Sequence, residues 1–193
     1  MWYGVVIDAH TMRAIRNAIV TENGVLYDLI CWIINNCGLA TTKYIEAHWE
    51  TKCGQDPVFW KWYKDQVLNK AARDIPIKKL DSNIAKKIRE RYCLPKDPFV
   101  LQYIKCANST SGPRYILADD IYLHDPKAGR LPSRTQNEIR ERRRGNLCRY
   151  LEKYLDIRVG TTADCISYFS IALGPCSSNI GINPKKCPKI PNN

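Results

Sequence analysis

The chain opens on an unbroken apolar run, "WYGVVI" at 2–7, that stops at Asp8. A continuous run of this length, ending in Val5, Val6 and Ile7, predicts a short strand buried on both faces, as in a parallel sheet. Helical spacing follows. Met12, Ile15 and Ile19, then Leu26, Leu29, Ile30 and Ile33, recur three and four apart, which predicts helices over 11–20 and 24–36, with Asn36-Cys37-Gly38 as the stop signal. "LATT" at 39–42 is a second candidate strand, followed by a third helix on "KYIEAHWETK". Asp56-Pro57 supplies a cap and a first-turn proline for a helix over 56–73, whose Phe59, Trp60, Trp62 and Tyr63 point to core packing.

A helix over 81–92 has Ile84, Ile88 and Tyr92 on one side and Lys86, Lys87, Arg89 and Arg91 on the rest. "DPFVLQYIKCA" at 97–107 repeats the Asp-Pro start and places Val100, Leu101, Ile104 and Ala107 on one stripe. A strand at 114–118 then ends, like the first, in carboxylates. One long basic helix over 134–155 and a last strand at 156–160 complete the pattern, and beyond 163 a loose tail is expected. Strands alternating with helices predict an α/β layer fold over 1–162 with a mainly parallel sheet.

Charge changes this picture most. Lys and Arg total 30 against 19 Asp and Glu, a formal +11, which favours a polyanionic partner because neutralising phosphates releases condensed counterions. Between 130 and 149 seven arginines (Arg130, Arg134, Arg140, Arg142, Arg143, Arg144, Arg149) face two glutamates, Glu138 and Glu141. The planar guanidinium fork suits phosphate oxygens, so Arg134, Arg140, Arg142, Arg143, Arg144 and Arg149, with Lys86 and Lys87, are the candidate nucleic-acid contacts. Nine cysteines form no CxxC pair and read as reduced, buried thiols in a cytoplasmic protein. No apolar run is long enough to span a membrane, and none reads as a signal-peptide core.

The candidate chemistry lies at strand ends, because ligands of open parallel sheets collect outside the C-terminal edge. Asp8 and the pair Asp119/Asp120 sit there, and Asp97, Glu46 and Glu50 can reach the same crevice. Several carboxylates in one crevice repel each other, and a hard divalent cation removes that conflict. Mg²⁺ or Mn²⁺ is therefore the expected cofactor and phosphodiester hydrolysis the expected chemistry. Taken singly, each acid also serves as a cap or turn residue. His10, His48 and His124 lie near these acids in sequence, yet a hard-cation site does not need them, and capping or surface roles are expected for all three.

On "VVIDAH", "TTKYIEAHWE", "DPFVLQYIKCA" and "RYILADD", residues 3–162 resemble the PIN-domain nucleases, which include the toxin ribonucleases of toxin–antitoxin pairs. The resemblance implies a three-layer α/β/α fold and a Mg²⁺- or Mn²⁺-dependent endonuclease, usually acting on RNA, with an acid tetrad. By position that tetrad is Asp8, Glu46, Asp97 and Asp120; Glu50 stands as the alternative to Glu46, Asp119 to Asp120, and Asp125 as an accessory ligand or a turn residue. The threonine or serine common in the family two residues before its last aspartate is Ala118 here. Single-stranded RNA is the expected substrate, ahead of DNA. A protein inhibitor or antitoxin and a homodimer partner remain open. The rival readings are a nucleic-acid-binding module of this fold without turnover and a Toprim-like nuclease, against which Asp119 and Asp120 are adjacent rather than an Asp-x-Asp.

Overall fold

The computed structural model describes residues 4–92 and 99–171. Val5–Ile7 form β1, and Asp8 accepts from the His10 backbone N–H (3.0 Å) to cap α1, Ala9–Thr21. Then come α2 (Val25–Asn36), β2 (Leu39–Thr41), α3 (Lys43–Cys53), α4 (Pro57–Leu68), β3 (Ala72–Asp74) and α5 (Ser82–Lys87). A π-helical turn, Ile88–Tyr92, extends α5. The second half holds α6 (Phe99–Ser109), β4 (Arg114–Leu117), short 3₁₀ turns at Ile121–Leu123 and Pro126–Arg130, α7 (Ser133–Glu141), α8 (Asn146–Leu155), β5 (Ile157–Gly160) and α9 (Thr162–Tyr168).

All five strands are parallel, in the order β3-β2-β1-β4-β5, with helices flanking the sheet in three α/β/α layers. Ile7 pairs with Leu117, Leu117 with Gly160 and Thr41 with Asp74, so the strands end nearly level. The core is built from β1 (Val5, Val6, Ile7), β4 (Tyr115, Ile116, Leu117) and the inner faces of α1, α3 and α6. The aromatic segment belongs to it as expected: Phe59 is fully buried, and Trp60 and Trp62 pack against its edge. Six cysteines, at 31, 37, 53, 106, 148 and 165, are free and buried, and burial pushes the thiols of Cys53 and Cys148 up to about 11.

Three expectations differ from the structure. The helix expected over 56–73 ends at Leu68, because Lys70 takes a left-handed backbone (φ 60°) and Ala72–Asp74 pair with β2 as an edge strand. The long basic helix over 134–155 is broken into α7 and α8: Arg143 is left-handed (φ 49°), and Gly145 caps α8 where its backbone crosses against His124. Residues 163–171, placed in the expected tail, instead form most of α9 and its exit. Thr161 caps that helix, Cys165 is fully buried, and Phe169 and Ile171 join the core. The remainder of the expected tail, 172–193, lies outside the described residues. No helix among the described residues is long and apolar enough to cross a membrane.

Candidate active site

Chain direction reverses its lateral course at β1. From there the sequence builds outward to β2 and β3, then returns to lay β4 and β5 on the other side. Such a switch point opens a crevice at the C-terminal strand ends, because the loops leaving the two central strands diverge. The residues on either lip are Asp8, leaving β1, and Asp119 and Asp120, leaving β4. The Asp8 backbone N–H donates to Leu117 O (2.9 Å), which sets the two exits side by side.

Asp8 is 6% exposed. Burial pushes its carboxyl up from 3.8 to about 6; nearby His10 pulls it down and the Asp120 carboxylate pushes it further up. His10 reaches across the crevice, with Nδ1 3.1 Å from Asp120 Oδ2. His10 is therefore part of the acid site, contrary to the expectation that set the histidines aside. Its sequence signal is its position two residues after the strand-end aspartate, one short step into the first turn of α1.

Asp119 and Asp120 divide their work. The Asp119 carboxylate accepts from the Thr162 backbone N–H (2.7 Å) and hydroxyl (2.6 Å), tying β4 to the start of α9. Its own N–H donates to the Thr11 hydroxyl (2.8 Å), and Arg140 donates to its carbonyl. Asp119 is thus saturated by protein donors, whereas Asp120 faces Asp8 and His10. Between the two, the geometry selects Asp120 as the ligand candidate. Thr11 and Thr162 also supply hydroxyls to the turn that Ala118 leaves without one; both were missed because neither is near 118 in the chain.

Glu46 stands in the first turn of α3, which Thr42 caps through its hydroxyl to the Ile45 N–H (3.3 Å). The helix is fastened to the crevice by Trp49, fully buried, whose indole N–H donates to Ile7 O (3.1 Å), one residue before Asp8. Glu46 accepts from the Tyr63 phenol; burial and that carboxylate raise the phenol's pKa, so it stays a donor. Asp74, at the end of β3, adds a further negative charge near Tyr63. Glu50 is exposed one turn on and makes no side-chain hydrogen bond among the described residues. Trp49→Phe keeps a ring but removes the donor, and is expected to cost about 1 kcal/mol in thermal unfolding; an unchanged melting temperature would show that the indole does not anchor α3.

Asp97 lies outside the described residues. Among those described, no three His, Cys, Asp or Glu side chains converge as a metal site of three ligands would require. Asp8 and Asp120 do converge, and an all-oxygen pair of carboxylates suits Mg²⁺ or Mn²⁺, which commonly take one or two carboxylates and fill the remaining positions with water and substrate phosphate. The two carboxylates suit the ion in donor type, and burial is the chief cause of the raised Asp8 carboxyl.

The other histidines do different work. His124 is fully buried rather than on the surface and caps the Ile121–Leu123 turn through its backbone N–H to Ile121 O (2.9 Å), while Nε2 bonds Ala118 O (2.8 Å) and burial lowers its pKa. His48 Nδ1 contacts the Tyr103 hydroxyl at 3.0 Å. Asp125 is a structural cap, accepting from the Lys127 N–H (3.2 Å) and from the Asn146 N–H (3.2 Å) and side-chain amide (2.9 Å).

The basic residues also separate. Arg134, Arg142, Arg144, Arg149 and Lys86 are exposed, the first and last in loose i,i+4 pairs with Glu138 and Glu90. Arg140 is spent on Asp119 O and Asn137, and Arg143, turned onto α8 by its left-handed backbone, on Glu152. Lys87 lies over the rings of Tyr150 (5.2 Å) and Tyr154 (5.5 Å). No family model, curated protein or solved structure matches the chain.

Proposed function

We propose that the chain is a metal-dependent nuclease of the PIN type that hydrolyses phosphodiester bonds in single-stranded nucleic acid, RNA ahead of DNA, in the cytoplasm. The observation that carries this reading is the approach of buried Asp8 and half-buried Asp120 at the switch point of a parallel sheet, with the arginine-bearing α7 packed on the turn that follows. Asp8 and Asp120 would hold Mg²⁺ or Mn²⁺, with Glu46 and Asp97 as the further acids of the tetrad. Such an ion, when bound, lowers the pKa of water and neutralises phosphoryl charge.

The chain's own contribution is positional. Thr11, Thr162 and Arg140 hold the turn that aims Asp120; Trp49 holds α3 against the exit of β1; His10 bridges to Asp120 and is placed to pass a proton at its imidazole. Arg134, Arg142, Arg144, Arg149 and Lys86 would bind phosphates without reading sequence. Ala118 favours a second reading, a nucleic-acid-binding module without turnover.

One assay separates the two. Purified protein is incubated with labelled single-stranded RNA and DNA, with Mn²⁺ or with chelator, beside Asp8→Asn. Cleavage that needs Mn²⁺ and disappears in Asp8→Asn is the expected result. Retention without cutting supports the binding module, and metal-dependent cutting by Asp8→Asn refutes the site.

A further inference from the structure

In the segment that follows the Asp120 turn, a hollow of about 270 Å³ is lined by Arg91, Tyr92, Asp125, Lys127 and Asn146. Two cations from separate elements face it, Arg91 from the π-helical turn and Lys127 from the second 3₁₀ turn. Both are exposed, and neither forms an ion pair among the described residues. The one carboxylate there, Asp125, is turned into the protein and taken up by three N–H donors around the start of α8. Hence the hollow presents net positive charge toward solvent.

Its wall is aromatic and braced. Tyr92 packs on Tyr150 with ring centroids 4.9 Å apart, and Tyr150 on Tyr154 at 4.6 Å, with Lys87 across the latter two rings. Tyr92 is therefore a fixed, half-buried ring beside two free cations. That combination, cations for a backbone and a ring face for a base, is how single strands are bound without sequence preference. The hollow also lies close to the acids: Asp125 follows Asp120 by five residues, at most roughly 18 Å of chain.

We infer that this hollow is a binding site for single-stranded nucleic acid, taking one phosphate between Arg91 and Lys127 with the adjoining base against Tyr92, a few nucleotides along the strand from the acid crevice. The inference rests on the proposed reading of the chain as a single-strand nuclease and names where the uncut strand is held. The occupied rings of Tyr150 and Tyr154 serve as support; Tyr92 is the one that meets the base.

The test is binding of short fluorescein-labelled oligouridylate and oligodeoxythymidylate, by anisotropy, in chelator so that nothing is cut. The double variant Arg91→Ala/Lys127→Ala, with a wild-type melting temperature because both side chains are exposed, should bind roughly tenfold more weakly. Its dependence of log affinity on log salt should be shallower by about 0.7 per cation removed. Tyr92→Leu should lose about tenfold while Tyr92→Phe binds like wild type. Wild-type affinity and salt slope in the double variant, equal losses in Tyr92→Leu and Tyr92→Phe, or equal competition by a duplex would each overturn the assignment. Binding behaviour as expected, with no cleavage by wild type in Mn²⁺, would leave the hollow in place and remove the nuclease reading alone.

Discussion

Asp8→Asn is expected to be more stable than wild type in chelator at pH 7.5, and less stable than wild type once Mn²⁺ is added. The first half follows from the buried carboxyl. Its pKa is raised from 3.8 to about 6, chiefly by burial, so the folded state resists its ionisation. For an acid whose folded pKa lies above its unfolded value, stability is fully retained below the unfolded value and lost as pH rises through the window to the folded one. Above about pH 6 the cost is complete, about 3 kcal/mol by the conversion of pKa to free energy. Asparagine removes that cost and still accepts the His10 N–H as a helix cap, since Asn and Asp cap equally well. Near pH 4 the advantage should shrink to roughly half a kcal/mol. The second half is mass action: an ion bound only by the folded wild type adds about 4.1 kcal/mol at a concentration about 1,000 times its dissociation constant, which exceeds the cost of the buried carboxylate. Thermal unfolding of both proteins, at two pH values and with and without Mn²⁺, reads all four corners. A variant less stable than wild type in chelator would refute the cost assigned to the buried carboxylate, and one raised equally by Mn²⁺ would remove Asp8 from the metal site.

How much of this was legible in the sequence depends on whether the signal was local. Asp8 was legible because a buried apolar run stopping on a carboxylate is conspicuous within a few residues. Parallel pairing was legible too, since the short apolar runs of β1, β2, β4 and β5 alternate with helical segments. β3 was not: "ARD" carries one buried residue and reads as the last turn of an amphipathic helix, and only its pairing with β2 makes it a strand. The break between α7 and α8 was hidden for a related reason. Arginine and glutamate favour helix throughout 134–155, and a left-handed Arg143 is tolerated because tertiary contacts at Glu152 and His124 outweigh intrinsic preference. Asp119 and Asp120 could not be told apart from neighbouring letters, because the partner that distinguishes them, Thr162, is 43 residues away.

Gly145→Ala should be strongly damaging, and the reason lies in what the glycine lets approach. A β-carbon there would sit 2.3 Å from His124 O and 2.6 Å from its carbonyl carbon, both backbone atoms that have no side-chain freedom to yield. The backbone angle at Gly145 is ordinary (φ −59°), so the penalty is steric rather than conformational. To relieve it the start of α8 must move off, and three bonds go with it: Cys148 N–H to His124 O (3.0 Å) and both Asn146 bonds to Asp125. Overpacking of this kind costs on the order of 3 kcal/mol. The damage also reaches the chemistry, since His124 holds Ala118 O (2.8 Å) at the root of the turn that aims Asp120. Gly129→Ala is the matched control: its β-carbon would meet only the Tyr122 ring, at 3.4 Å, and a ring can tilt. Urea unfolding should separate the two variants by about 2 kcal/mol or more, with cleavage reduced in Gly145→Ala below what its folded fraction explains. Equal midpoints would mean that α8 does not press on the Asp120 turn, leaving Arg140 on Asp119 O as the link between the basic segment and the acids.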